Sequence, residues 1–98
     1  MQVKEFQQKI IEFTEKWNKK RNVTPSEKLN FIHLVEEVGE LATQYVNQEK
    51  RKDQYSSKEV EDAIGDILIQ VVELAHLRGL DIEEITKKII EEESPRIE

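Results

Sequence analysis

The sequence predicts an all-α fold, a four-helix bundle-like single domain over residues 1–98. Three observations carry that reading. Apolar residues recur at three- and four-residue steps along almost the whole chain, and no stretch alternates as a strand would. Three capping boxes mark helix starts: Thr24 with Glu27, Ser56 with Glu59, and Asp81 with Glu84. Gly and Pro number only 3 and 2, and Pro25, Gly79 and Pro95 fall where the apolar patterns begin or stop.

The first helix is expected from Val3 to Asn18, with Val3, Phe6, Ile10, Phe13 and Trp17 as its apolar stripe and Lys19–Asn22 as a basic end favoured by the helix dipole. The second starts at the cap Thr24, places Pro25 in its first turn and runs to about Gln48. Its expected core face is Phe31, Leu34, Val38, Leu41 and Tyr45. A charged connector, Glu49 to Tyr55, leads to the third helix, capped by Ser56 and reaching Arg78, with Ile64, Ile67, Val71, Leu74 and Ala75 inward. Gly79 stops it. Asp81 caps the fourth, whose apolar positions are Ile82, Ile85, Ile89 and Ile90, and Ser94-Pro95 ends it.

Composition narrows the function. Charged residues make up 37% and aromatics 6%, which suits long solvated helices. A net charge of −6 argues against a general binder of nucleic acid or anionic membranes. With no cysteine, disulfides and thiolate metal sites are excluded. No apolar run reaches membrane-spanning length and the start, MQVKEFQQK, lacks a signal-peptide core, so a cytoplasmic protein is expected.

Two acidic stretches stand out, Glu36–Glu40 (EEVGE) and Asp62–Asp66 (DAIGD). At about 100° per residue, Glu36, Glu37 and Glu40 fall in one arc bordering the second helix's apolar stripe, with His33 among them. Asp62 and Asp66 share an arc with Glu59, Gln70 and Glu73 on the third. Packed side by side, the helices would bring these arcs together along one edge of the seam. Such rows are commonly a solvated face. Here neither row shows a Lys or Arg to pair with it, and like charges at these spacings cost stability. A divalent cation would offset that repulsion, and hard cations take carboxylate oxygens. Each stretch holds a glycine one residue before its last acid, Gly39 and Gly65, read either as a tight helix crossing or as room for a metal or phosphate.

At these residues the chain resembles the MazG-like nucleoside triphosphate pyrophosphohydrolases, an all-α superfamily with an EExxE motif on one helix and ExxD on the next. EEVGEL (Glu36 to Leu41) matches the first motif, and Ile64 to Glu84 resembles the family's second half. The likeness runs from about Phe13 to Ile90. Two departures are visible. The first acid of ExxD would stand at Ala63, so Asp62 is taken as its substitute. The segment KKIIEEESPR carries acids where the family has a basic, Asn-containing phosphate-binding stretch.

The resemblance implies hydrolysis of an NTP or dNTP to the NMP and pyrophosphate, with Mg²⁺, or Mn²⁺ in its place, as cofactor. House-cleaning of non-standard nucleotides and phosphoribosyl-ATP hydrolysis both fall within it. It implies Glu37, Glu40, Asp62 and Asp66 as metal ligands and Glu36 as the acceptor of the attacking water's proton. Lys88 and Arg96 would serve the phosphates and Trp17 the base, with Lys50, Arg51, Lys52 and Lys87 as further basic candidates. It also implies a MazG fold completed by oligomerisation, as a homodimer or homotetramer. Leu29, Ile32, Ile69 and Leu77 are the apolar residues expected to lie bare beside the acids of a lone chain. Two other classes remain open. One is a non-catalytic helical interaction module on the same fold. The other is a di-iron carboxylate bundle using Glu73-x-x-His76 and His33.

Overall fold

A computed structural model describes residues 1–97. It contains the helices α1 (Val3–Lys20), α2 (Glu27–Lys50), α3 (Ser57–Leu77) and α4 (Ile82–Ile97), with a 3-10 turn at Lys52–Gln54 and no strand among the described residues. The all-α fold is as predicted. Among the described residues no helix is long and apolar enough to cross a membrane.

The helix ends follow local chemistry. Ser56 accepts a hydrogen bond from the Glu59 backbone N–H and Asp81 from that of Glu84, as the capping signals require. At α2 the signal at Thr24 misleads. Ser26 is the cap, with extended backbone and its hydroxyl accepting from the Leu29 N–H at 3.2 Å. Pro25 therefore precedes the helix, and it biases Thr24 away from helical geometry. Gly79, at φ 69°, closes α3. Its N–H bonds the His76 carbonyl and the Leu80 N–H bonds that of Ala75. Asn22, at φ 56°, ends α1 in the same way through Asn22 to Lys19 and Val23 to Asn18 bonds. The expected stop at Ser94-Pro95 does not occur, and α4 continues to Ile97 with Pro95 inside it. The Ser94 hydroxyl donates to the Ile90 carbonyl, and a proline this close to the end removes a single ladder bond.

α2 and α3 form an antiparallel hairpin. Glu27 pairs with Arg78 at one end and Gln44 with Glu59 at the other. α1 crosses α3, burying Ile10 and Ile11 against Val72 with Phe6, Ile69 and Ile82 around them, and α4 packs mainly against α1.

The expected core faces are only partly covered: Ile10 and Ala75 are buried, and Phe6, Leu34, Leu41, Ile67 and Leu74 are half-buried. Phe31, Val38 and Tyr45 of α2 are exposed, as are Ile64 and Val71 of α3 and Phe13 and Trp17 of α1. α2 instead buries Asn30 and Gln44 toward α3 and Asn47 toward the connector. Buried apolar residues are few: Ile10, Ile11, Ala63, Val72 and Ala75. Leu29 and Ile32 are bare as predicted. Ile69 is not, because it packs on the α1 cluster, and Leu77 is half-buried. A Cβ built at Gly39 or Gly65 meets nothing within 4 Å, so neither glycine marks a close crossing within the chain.

The accessible surface is 7830 Å², against about 5,800 Å² for a compact monomer of this mass. The radius of gyration is 16.2 Å where about 13 Å is usual. The chain by itself is an open hairpin with two helices laid across one end.

Candidate active site

The α2–α3 seam is built on a seven-residue polar repeat. Asn30, Glu37 and Gln44 recur on α2, and Glu59, Asp66 and Glu73 on α3. A spacing of seven keeps one helix face with a drift of only about 20°, so the antiparallel register matches the two series in three layers. In the first, the Asn30 amide donates to Glu73 at 3.3 Å. In the last, the Gln44 amide donates to Glu59 at 2.6 Å. Both carboxylates in these layers thus receive an amide donor. The middle layer sets Glu37 against Asp66, two carboxylates with no amide between them, and Glu40 lies one turn from Glu37.

Glu37 bears the consequence. Its side chain is 13% exposed. Burial raises its carboxyl above the ordinary value of 4.5, the charges of Glu40 and Asp66 raise it further, His33 pulls the other way, and a hydrogen bond with Glu40 adds to the rise. His33 Nε2 lies 3.1 Å from Glu37 Oε1. The folded chain therefore holds a proton here that the unfolded chain has released, and stability falls as pH rises between the two values. Without metal, thermal melts from pH 4 upward should show this decline, flattening above the folded pKa of Glu37. Glu37→Gln should remove that component.

Two cavities flank the cluster. One, about 450 Å³, lies between α1, the α1–α2 turn and the hairpin, and both Glu37 and Asp66 line it with Trp17 and Glu73. The other, about 420 Å³, is walled by Glu40, Glu59, Asp62, Ala63 and Asp66 among others. Asp66 lies on both.

The predicted site residues divide accordingly. Glu37, Glu40 and Asp66 come together. Asp62 is on the second cavity but already paired, its carboxylate 2.7 Å from Lys58, whose ammonium that contact raises above its usual range. The expectation of acidic rows without basic partners is thus corrected at Asp62. Ala63 is buried and lines the second cavity with Glu40 and Gln44 of α2, so an acid at that position would stand on that cavity. Glu36 is exposed and lines neither cavity. Trp17 lines the larger cavity, with Phe13 stacked at 6.2 Å and Arg21 over its ring at 5.2 Å, so a base stacking there would displace Arg21. Lys88 and Arg96 sit exposed on α4, paired with Glu92 and Glu93, and line neither cavity. His76 contacts Glu15 at 3.8 Å while Glu73 faces Asn18 and Asn30, so the ExxH pair does not converge as a di-iron site needs.

Among the described residues no three His, Asp or Glu side chains stand close enough to grip a metal as they are placed. The donor set nonetheless fits a hard cation. The acids are oxygen ligands on facing turns, and burial followed by their mutual repulsion raises the Glu37 carboxyl. Sequence reasoning missed Asn18, Asn30 and Gln44 and placed Glu59 and Glu73 only by arc. The signal that finds them is the seven-residue polar spacing inside an otherwise apolar-periodic helix.

Searches of curated proteins and of solved structures found no match. The family model described as the MazG nucleotide pyrophosphohydrolase domain matches residues 26–96, which takes in the hairpin, the carboxylate layer and α4. With most of its length covered, including every residue of the carboxylate layer, the chain belongs to the MazG nucleotide pyrophosphohydrolase family.

Proposed function

We propose that the chain is a Mg²⁺-dependent nucleotide pyrophosphohydrolase, converting an NTP or dNTP and water to the NMP and pyrophosphate, and that it works in the cytoplasm as a homo-oligomer. The observation that carries this is the middle layer of the hairpin. Flanking carboxylates receive amide donors, while Glu37 and Asp66 face each other without one. Glu37, Glu40 and Asp66 are the residues that would hold the cation. When bound, Mg²⁺ supplies charge neutralisation on the triphosphate during in-line displacement. The proton of the attacking water would go to a carboxylate that the cation leaves free, Glu36 being the expected one although it is exposed and lines neither cavity. The larger cavity gives the nucleoside a place beside the acids.

A panel of canonical, deoxy and modified NTPs with millimolar Mg²⁺, read by pyrophosphate release, tests the reading. At least one should be hydrolysed, and EDTA should stop it. Mg²⁺ alone should raise the melting temperature, since a ligand of the native state stabilises by mass action. A second reading, a non-catalytic module, is favoured by one observation: Ala63 stands where the family's acid would line the second cavity. No pyrophosphate from any NTP, with the fold intact, would decide for it.

A further inference from the structure

The larger cavity holds a polar network that the metal chemistry does not use. Glu73 is 9% exposed and no cation partners it; Oε1 accepts from Asn18 at 3.0 Å and Oε2 from Asn30 at 3.3 Å. A carboxylate has about four acceptor sites, so two remain. The Asn30 amide nitrogen also donates to Gln70 Oε1 at 2.7 Å. Turning the Asn30 amide over would set its oxygen against the Glu73 carboxylate, so its nitrogen must face both partners. Gln70 is thereby fixed with its oxygen toward Asn30 and its NH₂ left without a protein partner among the described residues. Asn18 is pinned likewise, its oxygen accepting from Arg21 at 3.3 Å. Burying a carboxylate among neutral amides is costly compared with apolar packing. Here it leaves acceptor capacity on Glu73 and on the unpartnered Asn30 oxygen beside it, and a free donor on Gln70, along the cavity wall.

Their order along α3 gives the network a direction. Asp66 stands at the phosphate end, Gln70 one turn on, and Glu73 a turn further, about 10.5 Å of helix from Asp66. With the phosphates at the acids, a nucleoside lying along this wall brings the base edge opposite its sugar to Glu73. In cytosine and adenine that edge carries an amino group beside an unprotonated ring nitrogen. In uracil, thymine and hypoxanthine it carries a carbonyl beside a ring N–H; guanine adds a 2-amino group from which a carboxylate can also accept, so it stands apart. We infer that Glu73 and Gln70 read the base of the nucleotide and select cytosine and adenine over uracil, thymine and hypoxanthine. Glu73 accepts from the amino group and Gln70 donates to the ring nitrogen. Uracil, thymine or hypoxanthine reverses both contacts, placing a carbonyl oxygen against a carboxylate and an N–H against an NH₂. This rests on the reading of the chain as a nucleotide-binding enzyme but not on turnover.

The test is therefore binding. Trp17, the sole tryptophan, lines the same cavity and its fluorescence reports occupancy. Titrations with CMP, AMP, UMP and IMP should show the first two binding about tenfold or more tighter than the other two, as expected for a hydrogen bond to a charged group. Glu73→Gln should cut that ratio about tenfold. Gln70→Met, which keeps the shape and leaves the carboxylate, should weaken CMP and AMP while sparing UMP. Equal affinities, no binding, or an unchanged ratio in both variants would overturn the inference. A base preference without pyrophosphate release from any NTP would uphold it and remove the proposed activity. Turnover without preference would do the reverse.

Discussion

Asp66→Asn is expected to abolish Mg²⁺-dependent pyrophosphate release and to leave the folded chain as stable as before or more so. Asp66 is the one acid that lines both cavities, and its charge is among the causes of the raised Glu37 carboxyl. An amide at that position removes a negative ligand while still offering a donor to Glu37, which copies the amide–carboxylate pairing of the layers on either side. Removing a group that stabilises developing charge commonly costs a factor of about 10² to 10³ in kcat. Loss of a metal ligand belongs at or beyond the upper end. Glu40→Gln should behave similarly, since it relieves the i,i+3 repulsion with Glu37. Hydrolysis rates paired with metal-free melts separate these effects. Wild-type rates in both variants would remove the assignment of the cluster. Lost activity with a collapsed melt would instead make the acids structural.

The amount legible beforehand differs between local and long-range features. Helix number, the connector and the caps at Ser56 and Asp81 rest on contacts within one turn, and the structure keeps them. The cap of α2 was misread because Thr24 and Ser26 both suit the role, and only geometry around Pro25 chooses between them. The acid cluster at Glu37, Glu40 and Asp66 followed from helical arcs. The orientation of the apolar stripes did not. Periodicity shows that Phe31, Val38 and Tyr45 share a face, not whether that face meets its own chain or another. Read as a core, those residues hid the inward face, whose Asn30, Gln44 and Asn47 look like surface residues by composition. The amide–carboxylate layers needed the hairpin register, because each joins residues from 15 to 43 positions apart.

Val38→Asp or Leu68→Asp is expected to dissociate the assembly and, with it, most of the fold. On α2, Phe31, Val35, Val38 and Tyr45 form a seam at three- and four-residue steps, and Ile64, Leu68 and Val71 form one on α3; all are exposed in the single chain. The α2 seam lies about 115° round its helix from Glu37, and the α3 seam about 160° round from Asp66. In an antiparallel pair the α2 seam then points to the side opposite the acids, and the α3 seam points outward and partly to that same side. Both helices therefore carry an uncovered apolar strip. The chain's excess surface, about 2,000 Å² over a compact monomer, is of the size that an obligate homodimer buries. A two-fold arrangement would place hairpin on hairpin and meet each mutation twice. An aspartate there takes an unpaired charge out of water in both subunits, costing several kcal/mol each. The internal apolar core, little more than Ile10, Ile11, Ala63, Val72 and Ala75, is too small to hold the chain against that. Light scattering at micromolar concentration should give a multiple of 11.6 kDa for the wild type. Either variant should show a smaller species with a lost cooperative melt and at least a hundredfold loss of activity, roughly the effect of about 3 kcal/mol. A wild-type chain that is monomeric, folded and active, or a Val38→Asp protein that keeps both mass and melt, would mean that this face is covered by nothing.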